Sequence, residues 1–150
     1  MADPTKPALV SGYGAITVEA ARKVAAAAIA EAKTRGWNVA VAIVDVAGEL
    51  VLFERLDDTQ QASVLVSQAK ARTAARFKRP SKAFEDALAG GRQAILGMPD
   101  VVPIEGGLPL IIDGRIVGAI GVSGVTSQQD GVCAQAGVDA LAQLRYTGTP

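Results

Sequence analysis

The sequence contains no histidine and only one cysteine, and these two shortages exclude several kinds of active site. Without histidine there is no Ser-His-Asp triad and no Cys-His dyad. A typical catalytic zinc site and the usual proximal ligand of haem iron are lacking as well. No metal site is therefore predicted. Acid–base chemistry near neutral pH would depend on carboxylate, lysine, tyrosine or cysteine side chains with shifted pKa values.

Other shortages concern location and partners. No uninterrupted apolar run approaches the ~20 residues that a membrane-spanning helix needs, and the N-terminus lacks the basic-then-apolar pattern of a secretory signal. The lone Cys133 excludes an internal disulfide and is typical of a reducing compartment, so a cytoplasmic location is predicted. The formal net charge is zero, and the cation-rich cluster between 61 and 92 is short. Neither nucleic acid nor membrane is a predicted partner.

The chain has 150 residues, of which 49% are hydrophobic, and this predicts one compact domain. Residues 1–14 hold turn formers without periodicity and are predicted to be a tail or an arm, which leaves 15–150 as the single domain. Within it, apolar periodicity and turn signals predict the order α-β-β-α-α-loop-β-β-α. The predicted helices are 18–35 after a Thr17 cap, 59–77, 82–89 after a Ser81 cap, and 127–144 after a Ser127 cap. The predicted strands are 38–45, 49–56, 110–113 and 115–122.

Two glycine-rich stretches stand out in the second half of the chain. Residues 97–109 form a long loop rich in glycine and proline, and long loops in small domains are often functional. Gly118, Gly121 and Gly124 follow at three-residue spacing, which differs from the dinucleotide-binding fingerprint and falls along a strand instead of opening a helix. Close packing of a helix on that strand is the better explanation.

Four stretches together resemble a known family. They are the alanine-rich first helix, the strand ending in Val44-Asp-Val-Ala-Gly48, the segment Gln68–Phe77, and Glu105-Gly-Gly-Leu-Pro109 with the following Val117–Gly124. The sequence is similar in these stretches to the GlcG/HbpS type, called the haem-binding or haem-degrading domain, which also forms the C-terminal part of PduO proteins. The likeness covers roughly residues 15 to 144.

The resemblance implies an α+β, profilin-like fold, with a five-stranded, mainly antiparallel sheet and helices on both faces. It also implies homo-oligomers, from dimers up to octamers. Haem is the cofactor that the resemblance suggests, but the iron-contacting histidine reported for haem-binding members has no counterpart in this chain. No cofactor is therefore assigned with certainty.

Glu105, Gly106 and Gly107 are the first candidate site residues. Glycine lets backbone N–H groups face a ligand, so Gly106 and Gly107 could hold a carboxylate or an oxyanion. The alternative is a tight turn. Glu105 is the candidate acid–base residue of the loop, and its alternative is an ordinary exposed acid.

The predicted helix 59–77 supplies a second group. Lys70 could be desolvated beside a small apolar face and act in catalysis, although lysines in such places more often extend to water. Thr73 lies on the same helix and is a candidate ligand-binding residue. Arg76 shares a stripe with Arg72 and Arg79. It could bind a carboxylate or phosphate, form salt bridges between subunits, or simply be solvated.

The third group surrounds the start of the last helix. Helix N-termini attract anions, so Ser123 and Ser127 could help to bind a small acid, while a plain cap by Ser127 is an equally good reading. Asp130 is a candidate general base, or else only a cap partner.

Three functions remain open on this basis. One is a small-molecule-binding protein of the family, accessory to a catabolic pathway for small organic acids or aromatic compounds. Another is a cofactor-free tautomerase, isomerase or lyase acting on a small carboxylic or oxo acid through Glu105, Asp130 and Lys70. The third is a non-catalytic oligomeric sensor or assembly module. Whether the protein is an enzyme stays undecided at this point.

Overall fold

The computed structural model describes residues 3–147, with side chains through residue 144. The first two residues of the predicted tail and the last three of the predicted domain lie outside the described residues. The helices are α1 (Val18–Arg35), α2 (Ser63–Phe77), α3 (Lys82–Ala89), a 3-10 helix (Gln93–Gly97) and α4 (Ser127–Thr147). The strands are β1 (Ala40–Val44), β2 (Leu50–Arg55), β3 (Gly107–Ile112) and β4 (Arg115–Ser123).

The four strands form one antiparallel sheet in the order β2-β1-β4-β3. The predicted element order is therefore confirmed, and the fold is α+β. The fifth strand of the expected profilin-like sheet is not seen among residues 3–147. The segment before α1 makes only an isolated bridge between Val10 and Ile16, too short to count as a strand.

Helices cover both faces of the sheet, and the side chains of β1 show how. All five residues of β1 are buried. Val41 and Ile43 face the larger core, which they share with α1 and α4, whereas Ala42 and Val44 face α2. Alternate residues of a strand point to opposite faces, so a wholly apolar strand is expected at the centre of a covered sheet.

The face toward α2 is built from small residues. Ala42, Ala71, Ala74 and Ala119 are fully buried there. Gly121 on β4 lies under the helix backbone, because a methyl group at this position would overlap the main chain of Ser67 and Ala71. The predicted close packing of a helix is thus confirmed at Gly121, where it brings the inner face of α2 directly onto the sheet. At Gly118 and Gly124 an added Cβ would instead meet the backbone of Val44 and of Asn38.

None of the helices within residues 3–147 combines the length and the apolar character of a membrane span.

Gly121→Ala is expected to destabilise the protein by about 1–3 kcal/mol, because the added methyl group must push α2 away from β4. Urea unfolding of the variant measures this loss. Gly97→Ala is the matched control, since a Cβ at Gly97 meets nothing within 4 Å. Equal stability of the two variants would contradict the close packing.

Candidate functional site

A buried ion pair joins α2 to α4. The Lys70 Nζ lies 2.9 Å from Asp130 Oδ2, and the two side chains are only 2% and 3% exposed. Nζ also donates to the carbonyl oxygen of Val122, at 3.0 Å. Of the two alternatives for Lys70, the structure therefore shows the desolvated one, and the side chain does not extend to water.

Asp130 is held from two sides. Its Oδ1 accepts a hydrogen bond from the backbone N–H of Val125 at 3.1 Å, while Oδ2 faces Lys70. Burial raises the pKa of Asp130 above its usual value of 3.8, and the Lys70 ammonium and the backbone N–H groups of Val125 and Gly124 oppose that rise. A buried carboxylate and a buried ammonium each require the other, because an unpaired charge in the interior is very unfavourable.

Gly106 and Gly107 let the chain pass over this pair. A Cβ at Gly106 would come within 2.9 Å of Lys70 Nζ, and one at Gly107 would overlap the Lys70 backbone. Gly106 also has a φ of +132°, which disfavours other residues. The N–H of Gly107 donates to Ser81 Oγ at 2.9 Å and is thus occupied within the chain. Their predicted role in ligand binding stays a prediction, and the geometry gives both glycines a structural one.

Ser81 ties α3 to the start of β3. We predicted it as a helix cap, but its hydroxyl makes no capping bond to α3. It donates instead to the carbonyl oxygen of Ile104 at 2.6 Å and accepts from Gly107. The predicted cap position is therefore confirmed, but the capping bond is absent because the hydroxyl bonds to the loop before β3, a distant contact that sequence spacing cannot show.

Thr73 and Arg76 hold the loop that precedes β3. Thr73 Oγ1 accepts from the N–H of Val102 at 3.0 Å. Arg76 donates to the carbonyl oxygen of Ala47 at 2.9 Å and lies 3.6 Å from the Asp100 carboxylate. The polar atoms of both side chains are engaged within the chain, and the salt bridges of Arg76 are made to Glu49 and Asp100 of its own chain, which the sequence did not predict.

Glu105 is the carboxylate of this region that stays available. Its side chain is half-buried against Gly131 of α4, where an added Cβ would lie 2.7 Å from Oε2. Its own N–H donates to Glu85 Oε1 at 3.3 Å. Within the described residues, the Glu105 carboxylate has no hydrogen-bond or ion-pair partner. The neighbouring Lys82 is exposed, and its pKa is raised first by its hydrogen bond to Asp86 and further by Glu105 and Glu85.

The two predicted serines at the start of α4 have different surroundings. Ser123 is buried, and its hydroxyl donates to Ser63 Oγ at 3.1 Å. Ser127 is partly exposed, but it is the first helical residue and not the cap. Thr126 is the cap, because Gln129 N donates to Thr126 Oγ1 while Thr126 N donates to Gln129 Oε1. The Thr-x-x-Gln pattern of a capping box was the signal for this, and we placed it one residue too late.

The predicted residues thus separate into two groups. Lys70, Asp130, Gly106 and Gly107 meet in one buried centre, and Glu105 lies at its exposed side. Thr73 and Arg76 are further along α2 under the loop. Sequence reasoning missed Ser81 as a loop anchor and Gly131 as the position that makes room for Glu105. No cluster of three or more histidine, cysteine, aspartate or glutamate residues in 3–147 could hold a metal ion.

This architecture defines a small α+β domain in which one lysine–aspartate pair joins two helices beneath a glycine-rich strand start. A family model described as "Haem degrading protein HbpS-like" matches residues 16–139. Protein GlcG of Escherichia coli is 38% identical over 108 residues, which are 72% of this chain and 81% of GlcG. The chain therefore belongs to the HbpS-like family.

Solved structures agree with this assignment. The crystal structure of a double mutant of Streptomyces reticuli HbpS is similar with a TM-score of 0.79 and 31% identity, over 94% of this chain and 98% of that one. The crystal structure of the PduOC:Heme Complex is similar with a TM-score of 0.75 and 29% identity, over 84% and 94% of the two chains.

Lys70→Met and Asp130→Asn are each expected to destabilise the protein by about 3–5 kcal/mol, because each leaves a buried charge without its partner. Urea unfolding measures both losses. In the double variant Lys70→Met/Asp130→Asn the loss is expected to be smaller than the sum of the single losses, since no charge is left buried.

The exposed ion pair between Lys82 and Asp86 provides the control. Asp86→Asn is expected to change the stability far less than Asp130→Asn, because water screens exposed charges. Single losses at Lys70 and Asp130 as small as the loss at Asp86 would contradict the account of the buried pair.

Proposed function

We propose that this protein binds a small organic molecule at Glu105, in the region where the loop before β3 meets α3 and α4. The observation that carries the proposal is the Glu105 carboxylate, which is half-buried and unpaired while the polar groups around it are engaged within the chain. A carboxylate in this state favours a ligand that presents a hydroxyl or N–H group.

The ligand class that we propose is a small hydroxy or oxo acid. Its hydroxyl, or the enol of an oxo acid, would donate to Glu105, and the neighbouring cation is the exposed Lys82, which is bonded to Asp86. The buried Lys70–Asp130 pair fixes the strand start and the helix on either side. We further propose that the protein is a cytoplasmic homo-oligomer, from a dimer up to an octamer. Its proposed role is accessory to the catabolism of small organic acids or aromatic compounds.

Iron-ligated haem is not the ligand that we propose for this chain. One structural relative is a haem complex, but Cys133 and Tyr13 of this chain are poorly suited to ligate iron. Cys133 is fully buried, and burial raises its thiol pKa to about 11, so it stays protonated. Tyr13 is 97% exposed on the segment before α1, outside any apolar pocket. An iron-free ligand is therefore the proposal.

A thermal-shift titration tests it, with haem and a panel of small hydroxy and oxo acids. A small acid is expected to raise Tm, since a ligand at about 100 times its Kd adds roughly 2.7 kcal/mol to stability. Glu105→Gln is expected to weaken that binding roughly tenfold or more, because it removes a charge-assisted hydrogen bond.

Glu54→Gln is the matched control, as Glu54 is an exposed acid on β2. Binding that Glu105→Gln and Glu54→Gln affect equally would contradict the site. A shift with haem together with a new Soret band, and none with the acids, would contradict the ligand class.

A cofactor-free isomerase is the second candidate function. It is favoured by the position of Glu105 beside the buried ion pair. Glu105 is followed in sequence by Gly106, which lies against Lys70, and its side chain contacts Gly131, the residue after Asp130. In such a reaction Glu105 would take a proton from the carbon next to the carbonyl of an oxo acid. The C–H electron pair would form the enolate, and Glu105 would return the proton to the other end of the enolate.

Proton NMR in D₂O tests this candidate. Loss of the signal of that C–H group in the presence of protein, abolished by Glu105→Gln and kept by Glu54→Gln, is the expected result for an isomerase. Exchange no faster than in buffer would leave the binding function and exclude this reaction for the acids tested.

A further inference from the structure

A cleft lies beside the end of β2, one of the two outer strands of the sheet, whereas Glu105 lies beside the start of β3, the other outer strand. Its volume is about 420 Å³, within the range of small-molecule sites. The lining residues are Lys33, Gly36, Trp37, Asn38, Arg55, Leu56, Asp57 and Asp58. The two outer strands, β2 and β3, are separated by three strand spacings of about 4.8 Å each. This cleft is therefore distinct from the Glu105 region.

The walls of the cleft are fixed by backbone hydrogen bonds. Gly36 ends α1 in the left-handed conformation, and the N–H of Trp37 donates to the carbonyl oxygen of Ala32 at 2.9 Å. Opposite, the N–H of Leu56 donates to the carbonyl oxygen of Val39 at 3.0 Å. The same carbonyl accepts the hydroxyl of Thr59 at 3.2 Å. The cleft is therefore largely formed before any ligand arrives.

The charges that line the cleft are of both signs and unpaired. Lys33 and Arg55 supply two cations, and Asp57 and Asp58 supply two carboxylates. None of these four side chains makes an ion pair or a hydrogen bond with the described part of the chain. By contrast, Arg35 beside them is bonded to Glu31 at 2.7 Å. Because these cations and carboxylates face one cleft and are not paired with each other, they remain free to bind a ligand that carries a positive and a negative group.

Trp37 gives the cleft an apolar surface. The indole is half-buried and packs against the larger core, and the Arg35 guanidinium lies 5.1 Å from its ring centroid. A second cleft of about 660 Å³ continues from this one along residues 55–59 and Gln61, with Arg55 to Asp58 shared between them. A ligand longer than a single amino acid can therefore extend from one cleft into the other along the end of β2.

We infer that this cleft binds the zwitterionic α-amino acid unit, as a free apolar amino acid or as a short peptide. Its carboxylate pairs with Arg55 and Lys33, its ammonium group pairs with Asp57 and Asp58, and its apolar side chain contacts Trp37. The inference is independent of the function proposed for Glu105, because no residue is shared between the two sites.

Trp37 is the only tryptophan of the chain, so its fluorescence reports on this cleft alone. The experiment is a fluorescence titration of the whole protein with leucine, dileucine, N-acetyl-leucine and leucine methyl ester. The expected result is a saturable change with leucine, dileucine or both. The acetylated compound, which lacks the ammonium group, and the ester, which lacks the carboxylate, are each expected to bind roughly tenfold more weakly or worse.

Variants locate the two charge contacts. Arg55 and Asp57 are both exposed. The substitutions Arg55→Gln and Asp57→Asn are each expected to weaken leucine or dileucine binding roughly tenfold. Arg22→Gln on α1, also an exposed position, is the control and is expected to keep the wild-type affinity. The inference is overturned if neither leucine nor dileucine changes the fluorescence up to about 10 mM, a range that covers weak small-ligand affinities. Equal binding of the acetylated compound or the ester, or unchanged affinity in both cleft variants, would overturn it too.

Discussion

The ion pair between Lys70 and Asp130 is the constraint on which the arrangement of the candidate site depends. Two charges withdrawn from water are tolerated only when each has its partner and its remaining hydrogen bonds, and here Val122 and Val125 supply those bonds. The pair fixes α2 against α4 across the end of β4. Everything that lies above it, including the start of β3 and the loop before it, is positioned relative to these two side chains.

Small residues make that arrangement possible. Gly121 lets α2 lie close to β4, Gly106 and Gly107 let the chain cross Lys70, and Gly131 leaves room for the Glu105 side chain. Ser81 and Thr73 then hold the loop by its backbone. Most polar groups near the centre are thereby satisfied within the chain. Glu105 is left as the acid available for a ligand, and this connects the packing of alanines and glycines to the proposed function.

The sequence predicted the order of elements and most of their limits, because apolar periodicity and turn residues are local signals. Residue type and local spacing also made Lys70, Asp130 and the two glycines candidate site residues. It did not show that Lys70 and Asp130 pair, since sixty residues separate them and a lysine on a helix usually extends to water. The roles of Ser81 and Arg76 were missed for the same reason: their partners lie in distant loops. The unpaired charges around Trp37 come together only when α1 and β2 are packed side by side.

Amide hydrogen exchange in Asp130→Asn tests most directly whether the buried pair organises the site. The account predicts that the amides of Val102 and Gly107, which donate to Thr73 and Ser81, lose protection more than the amide of Leu56, which donates to Val39 at the other end of the sheet. Equal loss of protection at all three amides, or none at Val102 and Gly107, would show that the loop is held without the pair and would contradict the account.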